Sequence, residues 1–286
     1  KKLKIFNSKI EENSVFNKGT PRVLKKLNGT TLSLLTGGAG NNNYHHWLYD
    51  VLPRLGLCSK AINLEQIDYF LFPDLIQKYQ KETLDCLNIP NDKRLSSKKY
   101  RHIKNKELIV TDHPVVVTGD DTRDMQNMPH WIMLWLKNNF INNNILSNRK
   151  KKKKIYINRK DTKHSGERLI SNESEIEKYL FEKNFISVSL GEIKFIDQVD
   201  LFSNAECIVG LHGAGFANIV FCEPGTKIIE LRSLDAGPVI ENLAKVNNLN
   251  YHPVIRESKQ ILRSSAPNQQ GSIHIPITIL NKILDN

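Results

Sequence analysis

The densest chemistry in the chain lies in Gly210-Leu211-His212-Gly213-Ala214-Gly215-Phe216-Ala217-Asn218. An apolar run ends at Leu211, small residues follow, and a short helix is predicted over Ala214–Phe221. Small residues let a backbone approach a ligand closely. A new helix offers unpaired N–H groups and the positive end of its dipole, which suits a diphosphate. His212 can donate to a phosphate oxygen, Gly213, Ala214 and Gly215 form the approach, and Asn218 lies within the first turns of the helix. Downstream, Pro224-Gly225-Thr226 turns the chain into a strand that carries Glu230 towards its end, where a carboxylate can accept from ribose hydroxyls. Upstream, Arg159 closes the strand Ile155-Tyr156-Ile157-Asn158, Arg168 follows, and then Asn172-Glu173, all counted with the same donor side. Arginines at strand ends clamp a diphosphate and offset charge building on a leaving group. A blander arrangement also fits: a packing turn, surface arginines and a Glu230 ion pair.

A second constellation sits in the first half, in Tyr44-His45-His46-Trp47-Leu48-Tyr49-Asp50. Residues four apart share a helix face, so His46 and Asp50 are neighbours if this stretch is helical. Such a pair holds an acid/base group: Asp50 takes a proton from an acceptor hydroxyl and His46 orients it, or the roles reverse. Trp47 and Tyr49 offer faces on which a sugar packs, and Arg54 is counted with them on the acceptor side. The competing arrangement puts Trp47 in the core and pairs Asp50 with Arg54. A metal reading of His45, His46 and Asp50 finds no third-ligand motif. The chain also has no Asp-x-Asp pair of the kind that holds a divalent ion against a diphosphate. No metal or cofactor is therefore expected; cationic side chains and a helix end would take the ion's place.

Stepping outward, the elements that must position these residues follow an α/β rhythm. In the first half, strands are predicted at Thr30–Leu35, Tyr69–Phe72, Glu107–Val110 and Pro114–Thr118. Helices are predicted at His45–Leu52, ended or kinked by Pro53, at Asp74–Leu87 and at Pro129–Phe140. A Gly/Asn-rich loop covers Gly37–Asn43. In the second half, strands are predicted at Lys154–Asn158, Phe185–Leu190, Cys207–Leu211, Lys227–Leu231 and Tyr251–Ile255. They alternate with helices at Asn172–Lys183, Phe195–Ser203, Ala214–Phe221 and Pro238–Asn247, and Pro276–Leu284 forms a last helix. Alternation of this kind argues for a parallel, doubly wound sheet. The run Asn142-Asn143-Asn144 and the basic stretch Arg149 to Lys154 mark a boundary. The expected domains are 1–145 on the acceptor side, 146–260 for the nucleotide sugar, and a tail, 261–286, that packs back.

Bulk properties narrow the partners. The chain has 286 residues, 40% hydrophobic, enough for one large core or two medium ones. A formal charge of +11 suits anionic partners: nucleotide diphosphates, lipid headgroups or nucleic acid. No helix-turn-helix, zinc-finger or RNA-recognition signature supports the last. Four cysteines, Cys58, Cys86, Cys207 and Cys222, form no CxxC pair and read as reduced, mostly buried thiols. No run of eighteen apolar residues and no secretory leader is evident, so a cytoplasmic protein is expected, with possible peripheral attachment to the inner face of a membrane through its basic surface.

Together these residues resemble glycosyltransferase family 61. Three blocks carry the resemblance, in the family's order. His46-Trp47-Leu48-Tyr49-Asp50-Val51-Leu52-Pro53-Arg54 is similar to its His-Trp/Phe-x-x-Asp-x-x-Pro block. Arg159, with Arg168 and Asn172-Glu173, forms the second. Gly210 to Asn218, then Phe221, Pro224-Gly225 and Glu230, forms the third. The resemblance implies an inverting, metal-independent enzyme of the GT-B type, two Rossmann-like domains facing across a cleft, here with a reduced N-terminal one. It implies a nucleotide-sugar donor, with UDP the expected carrier, on the C-terminal side. A saccharide or glycolipid acceptor would sit on the N-terminal side. The Lys-, Asn- and Ile-rich composition is closer to bacterial members that build capsule or lipopolysaccharide. Two rivals remain: a non-catalytic nucleotide-sugar-binding subunit, and a basic nucleic-acid-binding protein.

Overall fold

A computed structural model describes residues 21–36, 42–115, 127–141, 152–160, 168–258 and 271–285. The Gly/Asn-rich loop over 37–41, the strand expected beyond residue 115, the asparagine run and basic residues 149–151 lie outside them. The chain divides into two compact units, Lys1–Asn127 and Met128–Asn286.

The first unit is built on a parallel sheet of β2 (Thr30–Ser33), β3 (Tyr69–Phe72), β4 (Arg94–Ser96) and β6 (Glu107–Val110), in the order β4-β3-β2-β6. β1 (Lys25–Lys26) and β5 (Ile103–Lys104) pair in parallel just before β2 and β6. Numbered within this sheet the order is 3-2-1-4, the arrangement that opens a dinucleotide-binding fold. The crossover from β2 to β3 carries the His46–Asp50 block. Asn43 caps its start, its side-chain oxygen accepting from the backbone N–H of His45 at 2.9 Å.

The predicted helix His45–Leu52 is a single α-turn, Tyr44–His46, followed by a π-turn, Trp47–Val51. The stretch ends before Pro53, as expected, and the next helix, Pro53–Ser59, begins on that proline. The cause is steric. Proline cannot donate, and its ring would strike the carbonyl four residues back in a regular helix. The wider turn, closed by Leu52 N–H to the Trp47 carbonyl at 3.1 Å, absorbs the misfit. Helix Lys78–Cys86 starts later than the predicted Asp74, on a Gln77/Gln80 capping box.

The second unit holds a five-stranded parallel sheet: β7 (Lys153–Ile157), β9 (Phe185–Val188), β10 (Ala205–Leu211), β11 (Lys227–Ser233) and β12 (Asn250–Arg256). Their order is β12-β11-β10-β7-β9. Numbered within the sheet this reads 2-1-3-4-5, the flavodoxin-like doubly wound order. Val209, Ile229, Leu231 and Val254 pack with Ile176 and Leu180 of helix Glu173–Glu182 and Leu280 of helix Ile277–Leu284. Helices Phe195–Ser203 and Val239–Val246 pack against the 3-10 segment Ala214–Phe221. Helix His130–Phe140, expected at the end of the first domain, groups with the second unit. Its Phe140 ring lies 4.8 Å from that of Phe195 and 6.2 Å from that of Phe221, centroid to centroid. A further two-stranded parallel sheet pairs β8 (Arg168–Ile170) with β13 (Gly271–Ile273). Among the described residues no helix is long and apolar enough to cross a membrane.

Candidate active site

Open α/β sheets bind ligands beyond the carboxyl ends of their strands, at the point where the strand order reverses. In the second unit that point lies between β7 and β10, adjacent strands that lead into Arg159 and His212. The guanidiniums of Arg159 and Arg168 converge there. Each donates through Nη1 to the His212 carbonyl, at 3.0 and 3.1 Å. Two guanidiniums in one place repel each other, and an anion bound between them would relieve that repulsion.

Gly213 is the residue that admits Arg159. Its backbone is extended (φ 168°), which any residue adopts, so conformation does not demand glycine. Space does: a Cβ there would stand 2.8 Å from Arg159 Nη1. Gly210 and Gly215 serve packing instead. Their Cβ atoms would meet Ile157 at 3.1 Å and Leu190 at 3.0 Å. The short helix expected over Ala214–Phe221 is present as a 3-10 helix, with Gly213 in the capping position. A hollow beside it is lined by Arg168, Leu211, His212, Ser233, Gly271 and Ile273.

Several donor-side expectations are corrected by burial and hydrogen bonding. Glu230 does not wait for a ribose: it is fully buried, one carboxylate oxygen meets His212 Nδ1, and the other accepts from the Tyr251 hydroxyl. Asn218 is likewise fully buried and donates to Gln198 Oε1 at 2.9 Å and to the Gly215 carbonyl at 3.3 Å, so it braces the turn from behind. Asn172 grips the distant chain instead of a nucleotide. Its Nδ2 donates to the Ile275 carbonyl at 2.9 Å, and its Oδ1 accepts from the Ile275 N–H at 3.1 Å. Glu173 accepts from the Tyr156 hydroxyl at 3.0 Å. Tyr251 was missed by sequence reading. As the second residue of β12 it pairs in register with Ile228, two residues before Glu230 on the neighbouring strand.

In the first unit His46 Nδ1 and Asp50 Oδ2 are 2.6 Å apart, as the four-residue spacing predicted. The imidazole is 39% exposed and the carboxylate 16%, so the pair is reachable from solvent. The acceptor-side residues are corrected. Trp47 and Tyr49 are fully buried and present no face to a sugar. The Trp47 indole N–H donates to Thr83 Oγ1 at 2.9 Å, and its ring lies 5.9 Å from that of Phe72. Arg54 is buried too. It donates through Nε to the Asp50 carbonyl at 2.9 Å and through Nη1 to the Thr111 carbonyl at 3.3 Å. Burial pushes its guanidinium below the usual arginine range, and Asp50 and Asp112 pull it back. Arg54 thus ties the backbone beneath Asp50 and holds the turn that carries it. Among the described residues no group of three or more His, Cys, Asp or Glu side chains is arranged to hold a metal ion.

A family model described as Glycosyltransferase 61 matches residues 44–229, well over half of the chain and both constellations. A beta-1,2-xylosyltransferase of Arabidopsis thaliana is 37% identical over 70 residues, covering 24% of this chain and 13% of the relative. A protein O-linked-mannose beta-1,4-N-acetylglucosaminyltransferase 2 of Takifugu rubripes is 29% identical over 120 residues, 38% of this chain and 20% of the relative. An EGF domain-specific O-linked N-acetylglucosamine transferase of Pan troglodytes is 26% identical over 97 residues, 32% of this chain and 18% of the relative. The matched stretch is thus a fifth or less of the length of these relatives.

Proposed function

The chain belongs to glycosyltransferase family 61, and from that premise we propose that it moves a sugar from a nucleotide diphosphate to a saccharide hydroxyl. The observation that carries this reading is the convergence of Arg159 and Arg168 on the His212 carbonyl at the switch point of a doubly wound sheet. Positive charge gathered where such sheets bind ligands is what a departing diphosphate requires.

In the proposed reaction the second unit holds the donor and the first activates the acceptor, in the manner of a GT-B enzyme. Asp50, aligned by His46, takes the acceptor's hydroxyl proton. The oxygen attacks the anomeric carbon, the bond from that carbon to the diphosphate breaks, and the diphosphate leaves with the electron pair. Arg159, Arg168 and His212 stabilise its charge. One displacement inverts the anomeric centre. General-base help of this kind is worth about 10²–10⁴-fold. We propose that no metal is used: the chain has no Asp-x-Asp pair, and Arg159, Arg168 and His212 take up the charge of the leaving diphosphate.

UDP is the carrier we propose. Synthesis of a bacterial surface polysaccharide, capsule or lipopolysaccharide, is the setting we propose; the Lys-, Asn- and Ile-rich composition supports it. The formal charge of +11 further supports peripheral attachment to an anionic membrane, on the cytoplasmic side. A thermal-shift panel of nucleotide sugars, free nucleotides and nucleosides tests the central reading, because a ligand that binds only the folded state raises its melting temperature. Stabilisation by one nucleoside diphosphate and its sugar, with none from the nucleoside, is expected. No stabilisation by any diphosphate would refute it.

A further inference from the structure

The group of His212, the buried Glu230 and Tyr251 links three neighbouring strands of the sheet. Tyr251 lies on β12, Glu230 on the neighbouring β11, and His212 directly follows β10. Glu230 has no exposed surface, the His212 side chain keeps 12%, and both carboxylate oxygens are engaged. A carboxylate can only accept, so an oxygen set against Nδ1 requires the proton to sit on Nδ1. The outer partner of a functional histidine sets its tautomer and ring orientation in this way. Arg232 and Glu241 are the other charged groups that act on Tyr251. The two arginines hold the backbone of the same residue through its carbonyl. His212 is thus pinned at both its main chain and its ring.

We propose that Glu230 and Tyr251 are positioning residues that act through His212. Tyr251 aims the carboxylate and the carboxylate holds the ring with its proton on Nδ1; Nε2 faces the donor diphosphate and takes up a proton from solvent as the anion binds, so that its N–H donates to a phosphate oxygen. This deepens the donor-site reading and rests on it for the ligand. It departs from the sequence expectation that Glu230 binds ribose. Glu230 then has no contact with the nucleotide, and its loss is felt as a rotated or re-protonated imidazole.

The test uses the whole chain labelled with ¹⁵N-histidine, the His212 resonances being identified by their loss in His212→Gln. Long-range ¹⁵N–¹H spectra across pH report which nitrogen carries the proton in the neutral ring. The Nδ1–H form is expected in the wild type, and a shift towards Nε2–H in Glu230→Gln. Tyr251→Phe, which keeps the ring volume, is expected to give a mixture. In parallel, affinity for inorganic pyrophosphate is measured by calorimetry. It should fall about tenfold in Glu230→Gln and a few-fold in Tyr251→Phe, the size of one or two lost hydrogen bonds. A wild-type ring protonated on Nε2, or a tautomer unchanged in both variants, overturns the proposal. The expected tautomer shifts in a protein that binds no pyrophosphate would instead overturn the donor-site reading and uphold the positioning role.

Discussion

At the scale of residues, the candidate site is made of side-chain pairs: His46 with Asp50, four positions apart, and Glu230 with Tyr251, brought together by folding. The His46–Asp50 pair was legible because a four-residue interval means adjacency on any helical turn, including the widened one observed here. The roles of Trp47 and Tyr49 were not legible. A helical aromatic beside a catalytic pair can face a ligand or the core, and only Thr83 and Phe72, far along the chain, decide for the core. Truncating a buried side chain of that size typically costs about 3–5 kcal/mol, so such rings are rarely spent on loose contacts. Glu230 lies in the middle of β11 and not at the strand's end as expected, and its partner Tyr251 lies on another strand and left no mark in local spacing. Gly213 offers a sharp test at this scale. Gly213→Ala adds a methyl group 2.8 Å from Arg159 Nη1, with no backbone penalty. The flexible guanidinium tip should swing off the His212 carbonyl. Melting temperature should change little, and affinity for the donor diphosphate should fall about tenfold, the worth of a charged hydrogen bond. A variant that loses stability and keeps affinity would assign the glycine to packing.

At the scale of elements, the strands of the second unit were readable because their cores are short β-branched runs, such as Ile208-Val209 and Ile228-Ile229, bounded by turns. β8 and β13 were not. Each has three residues, and they find each other across about a hundred positions of chain. Arg168 reaches the site from this small sheet, which is why its spacing from Arg159 alone said little. The proposed membrane attachment has a candidate surface late in the first unit. Lys104 of β5, Lys106 in the link that follows, and Leu108 and Val110 of β6 fall at every second position, and all four are exposed. Leu108 is 55% exposed and Val110 65%. Lysines beside bare aliphatic side chains suit an anionic lipid surface better than nucleic acid. Wild-type protein should sediment with vesicles of phosphatidylglycerol and not of phosphatidylcholine, and high salt should release it. Lys104→Glu with Lys106→Glu should abolish sedimentation. Equal binding by that double variant would remove this element from the interface.

At the scale of the whole molecule, parallel α/β structure was legible in the alternation of apolar runs and amphipathic stretches, and the chain divides after Asn127, ahead of the expected boundary at 145. The helix His130–Phe140 shows where that reading stopped. Its sequence is equally helical on either side of a boundary, and it is assigned to the second unit by Phe140 among Phe195 and Phe221 and by Lys137, which donates to the Cys222 carbonyl at 3.0 Å. Dense burial has a consequence for pH. Burial pushes the Cys207 thiol up to about 12 and drives Cys222, Tyr156 and Tyr251 upward too. An unfolded chain releases thiol protons near pH 8.5 and phenolic protons near 10. The folded chain keeps them longer, so it binds more protons than the unfolded one above pH ~8.5, and stability must fall as pH rises. Each such thiol contributes about 1.4 kcal/mol of loss per pH unit until its folded value is reached. Urea unfolding at pH 8, 9 and 10 should show that decline, shallower in Cys207→Ala. A flat profile would mean that the thiol titrates as in the unfolded chain.

All three scales meet at the switch point, where a diphosphate should sit among Arg159, Arg168 and His212. The measurement that tests this most directly is a calorimetric titration with the nucleoside diphosphate that best stabilises the wild type, repeated on Arg159→Ala and Asp50→Asn. Affinity should fall about tenfold to a hundredfold in Arg159→Ala, the loss of a charged hydrogen bond, and stay at the wild-type value in Asp50→Asn. Unchanged affinity in Arg159→Ala would contradict the assignment of the donor site.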